Sequence, residues 1–140
     1  MYQIVYTSNA KQEFSPGDLN KLLAGSRARN KDLGVTGMLV FHDGTFLQAL
    51  EGENRAVNEI FARIHGDPRH RDLIVLHRGQ GPEQRVFGDW PMGFADFAGT
   101  ATILKGFVRF SEQLELKYLD GSRAVELLIA CGAEDDLRSA

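Results

Sequence analysis

Cysteine is nearly absent: Cys131 stands alone in 140 residues, so the chain can close no internal disulfide and offers no cysteine cage for a metal. It lies in the apolar run 127–131, where a small buried residue is the ordinary role. Long hydrophobic runs are absent too. No stretch approaches the roughly 20 apolar residues that span a bilayer, and the first residues lack a basic start followed by an apolar segment. The expectation is a cytoplasmic chain without signal peptide or transmembrane helix. Charge of one sign is not in excess, with 16 Lys and Arg against 19 Asp and Glu, a net charge of −3, and the cations scattered. That argues against nucleic acid or an anionic membrane as partner. His42, His65, His70 and His77 show no metal spacing, and neither a Gly-rich phosphate loop nor an arguable Ser-His-Asp set appears, so no enzyme class is indicated. What remains, with 43% hydrophobic content and no low-complexity stretch, suffices for one globular domain with a real core.

The most informative stretch is 33–52, where two apolar, β-branched and aromatic runs flank Asp43-Gly44, the strongest short-range signal for a hairpin. The second run alternates, placing Phe46, Gln48 and Leu50 on one face and Leu47 and Ala49 on the other. The Gln48 amide therefore sits in an apolar row. Leaving such an amide unpaired costs roughly 1 to 3 kcal/mol, so a backbone carbonyl, a water or a bound ligand must lie against it.

Residues 2–8 alternate as a first strand, with Tyr2, Ile4, Tyr6 and Ser8 sharing a face opposite Gln3, Val5 and Thr7. Ser15-Pro16-Gly17-Asp18 predicts a helix start, Ser15 as N-cap and Pro16 in first position, running to about residue 32. Its inward stripe is Leu19, Leu22, Leu23, Ser26 and then Asn30, a poor helix-interior residue that is either buried at the end of the stripe or part of a frayed or capping terminus. A second helix, capped by Asn54 and ended by Gly66 and Pro68, carries the stripe Val57, Ile60, Phe61 and Ile64. Arg63 and Asp67 at its end read, by themselves, as a solvated pair. Residues 72–77 predict a short buried strand, 78–84 a loop, and 85–97 a last strand region carrying Trp90, Met92, Phe94 and Phe97, which by themselves read as core. The order is βαββαββ. It predicts an α+β, ferredoxin-like sandwich: a mixed five-stranded sheet with two helices on one face. Further helices at about 101–114 and 122–131 would cover the other face or make a dimer contact, and 134–140 would be loose.

Tyr6, Asn30, Gln48, Arg63, Asp67, Trp90 and Met92, with Asn-x-x-x-Gly-Val-Thr-Gly at 30–37 and Phe-Leu-Gln-Ala-Leu-Glu-Gly at 46–52, resemble the BLUF family of blue-light receptors that use flavin. The resemblance is collinear over about residues 2–97, including intervals of 24 from Tyr6 to Asn30 (30 − 6) and 18 from Asn30 to Gln48 (48 − 30). One departure is the Gln48-to-Trp90 interval of 42 (90 − 48), one residue longer than the family pattern, which bears on how Trp90 is aimed.

The resemblance implies a flavin-binding domain over 1–98 and a helical extension, 99–140, in the same compact unit, as in short stand-alone members. It implies an oxidised flavin, FAD with FMN or riboflavin also possible, held non-covalently between the two helices and clamped by Leu22 and Ile64. Asn30 would bind the pyrimidine edge of the ring, Arg63 and Asp67 its carbonyl and imide side, and Arg29 the phosphates, with Ser26 and His70 nearby. Gln48 would stand between Tyr6 and the flavin. Light-driven electron and proton transfer from Tyr6 through Gln48 would then rearrange the hydrogen bonds and red-shift the flavin. The signal would pass by Trp90 or Met92 to the helical extension and on to a homo-oligomer or an unidentified downstream protein. The rival reading is a non-photoactive ligand-binding or oligomerisation module on the same fold, which has no need of a phenol and an amide in line.

Overall fold

The computed structural model describes residues 1–12, 15–42, 44–88 and 92–96. Among these the chain forms β1 (Tyr2–Ala10), α1 (Pro16–Leu33), β2 (Thr36–His42), β3 (Thr45–Gly52), α2 (Asn54–His65), β4 (His70–Gln80) and β5 (Gly93–Asp96). The sheet order is β4-β1-β3-β2-β5; β1 runs antiparallel to β3 and β4, β2 antiparallel to β3, and β5 parallel to β2. Each helix thus connects strands that run the same way but are not neighbours, which is the ferredoxin-like arrangement.

Local chemistry explains the elements. Ser15 closes a capping box: its Oγ accepts from the Asp18 backbone N–H at 3.1 Å while the Asp18 carboxylate accepts from the Ser15 N–H at 3.0 Å. Those bonds hold the Asp18 carboxyl below its usual range. Gly34, left-handed at φ 68°, ends α1, and Gly44 at φ 76° serves the hairpin turn. Gly37 lets β2 approach β3: a Cβ there would lie 2.2 Å from the Ala49 carbonyl oxygen. For α2, Asn54 is not the cap. The N-cap is Glu53, without a side-chain cap bond, and Asn54, inside the first turn, instead accepts at Oδ1 from Asn58 Nδ2.

One face of the sheet and both helices build a common core of Ile4, Tyr6, Leu39, Phe46 and Leu50 against Leu23 from α1 and Val57, Ile60 and Phe61 from α2. The alternate residues Val5, Met38, Val40, Leu47 and Ala49, on the opposite face, are also fully buried. Burying each such side chain contributes about 1.5–3 kcal/mol.

β4 corrects the reading of 72–77 as a short buried strand. It runs from His70 to Gln80, and Ile74 and Val75 are 50% and 40% exposed. The cause is position: β4 is the sheet edge, and its register against β1 shifts twice, with Asp72 at φ 55°. The last strand is likewise shorter than 85–97: residues 86 and 87 are bends and 88 a turn, and β5 is Gly93–Asp96. Asp43, Trp90, Phe97, Cys131, the helices expected at 101–114 and 122–131, and the boundary at residue 98 lie outside the described residues, as do the side chains of Leu19 and Phe94. Among the described residues no helix is long and apolar enough to cross a membrane, and no cluster of metal ligands occurs.

Candidate functional site

Between α1, α2 and the sheet lies a cavity of about 420 Å³. Tyr6 and Gln48 are cross-strand partners on β1 and β3, and both face it. The Tyr6 hydroxyl donates to Gln48 Oε1. Gln48 Nε2 in turn donates to the sulfur of Met92 at 3.3 Å, just before β5. Burial, with a smaller push from the Asp67 charge, drives the Tyr6 phenol well above the ordinary range, so the hydroxyl stays protonated and remains a donor. The Tyr6 ring also meets the edge of Phe61 at 5.7 Å and 66°.

The helices supply the side walls. α1 contributes Leu22, Ser26 and Arg29; the end of α2 and the turn after it contribute Arg63, Ile64, Asp67 and His70. The residues expected around a flavin, apart from Asn30, thus line one cavity. Asn30 does not line it, yet is only 1% exposed, which favours the buried stripe over a frayed helix end. Its carbonyl accepts the Val35 N–H at 2.8 Å, so it stays bonded where α1 gives way to β2. Met92 is fully buried, and Arg27 Nε on α1 donates to its carbonyl oxygen at 2.9 Å.

Arg63 and Asp67 are not a pair. Asp67 binds Arg69, whose Nε lies 3.0 Å from both carboxylate oxygens, and Asp67 Oδ1 also accepts the Arg69 backbone N–H at 2.9 Å. Two residues across the Pro68 turn bring that guanidinium back over the carboxylate. Bonded so, Asp67 is held below and Arg69 above its ordinary range. His70 Nε2 donates to the Ile64 carbonyl, tying this turn to the end of α2. Arg69 was therefore missed by reading the sequence, as were Ser8, Leu39 and Phe46. Ser8 follows Tyr6 at strand spacing, Phe46 precedes Gln48 likewise, and Leu39 is the β2 partner of Gln48, so period-2 alternation was the available signal.

The donor set fits a flat, mostly apolar heterocycle with polar edges. The walls offered by Leu22, Ile64 and Phe46 are apolar, the cavity is of ligand size, and Gln48 retains one N–H and one lone pair beyond its bonds to Met92 and Tyr6. The fold and site thus define a small α+β module that holds a ligand against a hydrogen-bonded phenol and amide. The family model "BLUF: Sensors of blue-light using FAD" matches residues 1–93, and the chain belongs to that family. It is 32% identical over 89 residues to the photoactivated adenylate cyclase subunit beta of Euglena longa, covering 64% of this chain and 10% of that protein. The dark-state structure of the BLUF protein BlrB superposes with a TM-score of 0.78 at 27% identity, covering 94% of this chain and 95% of that one. Klebsiella pneumoniae BlrP1 with FMN and cyclic diGMP gives 0.69 at 31% identity, covering 92% and 34%. The chain spans about a tenth of the length of the Euglena longa protein.

Proposed function

We propose that this chain senses blue light through an oxidised flavin, FAD or FMN, held non-covalently between α1 and α2, with Tyr6 as electron and proton donor and Gln48 as relay. The observation that carries this is the run of hydrogen bonds from the Tyr6 hydroxyl to Gln48 Oε1 and from Gln48 Nε2 to Met92, at the wall of the cavity. The bound flavin supplies the absorption of blue light and, once excited, the oxidising power. Tyr6, kept protonated by burial, would give an electron to that oxidant and its proton to Gln48 Oε1, and the return of an electron and a proton to Tyr6 would leave the amide rotated or tautomerised. Either change alters what Nε2 offers to Met92, which stands at the start of β5.

Leu22 and Ile64 would clamp the ring, Arg63 and Asp67 would bind its carbonyl and imide side, and Ser26 and His70 would stand beside them; Asn30, outside the cavity lining, would meet the pyrimidine edge only by turning its side chain toward the cavity. Arg29, on the wall formed by α1, would meet the phosphate portion. Arg69, already on the Asp67 carboxylate, joins this set. The output is contact with a homo-oligomeric partner or a downstream protein, in keeping with a photosensor module that is not itself an enzyme. Absorption spectra in the dark and after blue light, for wild type, Tyr6→Phe and Gln48→Leu, test the reading. A flavin spectrum that shifts reversibly to the red in wild type alone is expected; a protein that stays colourless when incubated with FAD sinks the proposal.

A further inference from the structure

Glu51 is a buried carboxylate, 1% exposed, for which the flavin site has no evident use. It lies on β3 three residues beyond Gln48 and, by strand alternation, on the opposite face of the sheet. Its oxygens accept from Thr36 Oγ1 at 2.9 Å, from the Val86 N–H at 2.9 Å and from the Phe87 N–H at 2.8 Å. Arg85 completes the cluster without touching the carboxylate: Nη1 donates to Thr36 Oγ1 at 2.9 Å and Nη2 to the Gly34 carbonyl at 2.8 Å. One side chain thus ties the connection between β4 and β5 to the central hairpin. A carboxylate suits the task, since it accepts several bonds at once and binds N–H groups more strongly than a neutral acceptor.

The connection held this way ends at Met92, five residues after Phe87 (92 − 87). There the Met92 sulfur receives the Gln48 N–H and its carbonyl receives Arg27. β3 therefore grips this segment at two points, through Glu51 on one face and Gln48 on the other, and the strand fixes the spacing between them. We infer that Glu51 is the positioning residue for Met92: by holding the Val86 and Phe87 amides it sets where the Met92 sulfur meets the Gln48 amide, and hence how fast a rearranged Gln48 returns to its dark arrangement. The inference rests on Gln48 being the light-responsive amide. Return requires the amide to regain its bond to Met92, so a looser segment offers less stabilisation on the way back and the light form lives longer.

The test uses the full-length, flavin-loaded protein. In Glu51→Gln the side-chain volume is kept, but an NH₂ replaces one accepting oxygen and faces backbone donors. Flavin loading and the dark spectrum should match wild type. Amide exchange at Val86 and Phe87 in the dark should be about tenfold faster, and the light form should last about tenfold longer, as expected for one strained or lost buried bond. Arg85→Ala, which spares the carboxylate, should change both in the same direction by about threefold. Leu47→Ala, a core change on the same sheet face, should lower stability and leave recovery alone. Recovery that is unchanged or faster in Glu51→Gln, or unaltered exchange at 86 and 87, would overturn the inference. Should Glu51→Gln fail to fold, unchanged recovery in Arg85→Ala would do the same. A wild type that shows no light-induced shift removes the photoreceptor reading instead, while the exchange measurement still decides whether Glu51 holds the segment.

Discussion

Gln48 and Glu51 lie three residues apart on β3, 4% and 1% exposed, yet the fold treats them in opposite ways. Glu51 is saturated, with a hydroxyl and two backbone N–H groups on its carboxylate. Gln48 is left partly open: a phenol on its oxygen, and on its nitrogen a thioether sulfur, one of the weakest acceptors a protein has. A saturated polar group in a dry interior can change only at the cost of several bonds. One held by a weak partner beside a ligand cavity can rearrange cheaply. The contrast separates a fixed point from a movable one within a single strand.

The contrast can be tested through stability before any light is used. Glu51→Ala should have the largest effect, about 3 kcal/mol or more in urea unfolding, because it strands several buried donors. A loss no larger than that of a surface substitution, about 0.5 kcal/mol, would break the comparison. Tyr6 comes next and is read against pH. Its folded-state pKa is raised above the ordinary value of 10.0, so its contribution is full below pH 10 and is lost as pH climbs above it. Stability should fall on that alkaline side in wild type, and Tyr6→Phe should lose that part of the slope. Gln48→Leu should cost about 1 kcal/mol, the low end for stranding a buried donor, since an apolar group of similar size leaves only the Tyr6 hydroxyl without its partner, and that hydroxyl stands at a cavity wall. Asp67 should give the smallest effect. Its pKa is lowered, chiefly by the Arg69 bond, so its contribution is present above the ordinary carboxylate range and disappears as pH falls through the folded value. Arg69 is 44% exposed, and solvent screens the pair; Asp67→Asn should flatten only a slight acid slope.

Much of this was legible because it is local. The Asp43-Gly44 signal and period-2 alternation gave β2, β3 and the odd position of Gln48, and Ser15-Pro16 placed the start of α1. What escaped depends on distant pairing. The two backbone donors on Glu51 come from residues 35 and 36 positions away, and no periodicity announces them. Leu73 to Leu76 look like a buried strand in any local window; only the sheet order, with β4 at its edge, leaves Ile74 and Val75 exposed. Arg69 escaped because its value lies in the turn at Pro68 and not in α2, which carries Arg63 in its last turn.

Arg27 lies within the same turn of α1 as Ser26 and Arg29, and its bond to the Met92 carbonyl joins a wall of the cavity to the segment that meets Gln48. If a ligand in the cavity changes the Arg27 bond, filling the cavity and gripping the chain at residue 92 are linked equilibria. By reciprocity, whatever factor a partner at the β5 end imposes on flavin affinity, the flavin imposes on that partner. On the proposed function, flavin loading would then alter the surface offered to such a partner before any photon arrives, and the helix that lines the cavity would also report its filling.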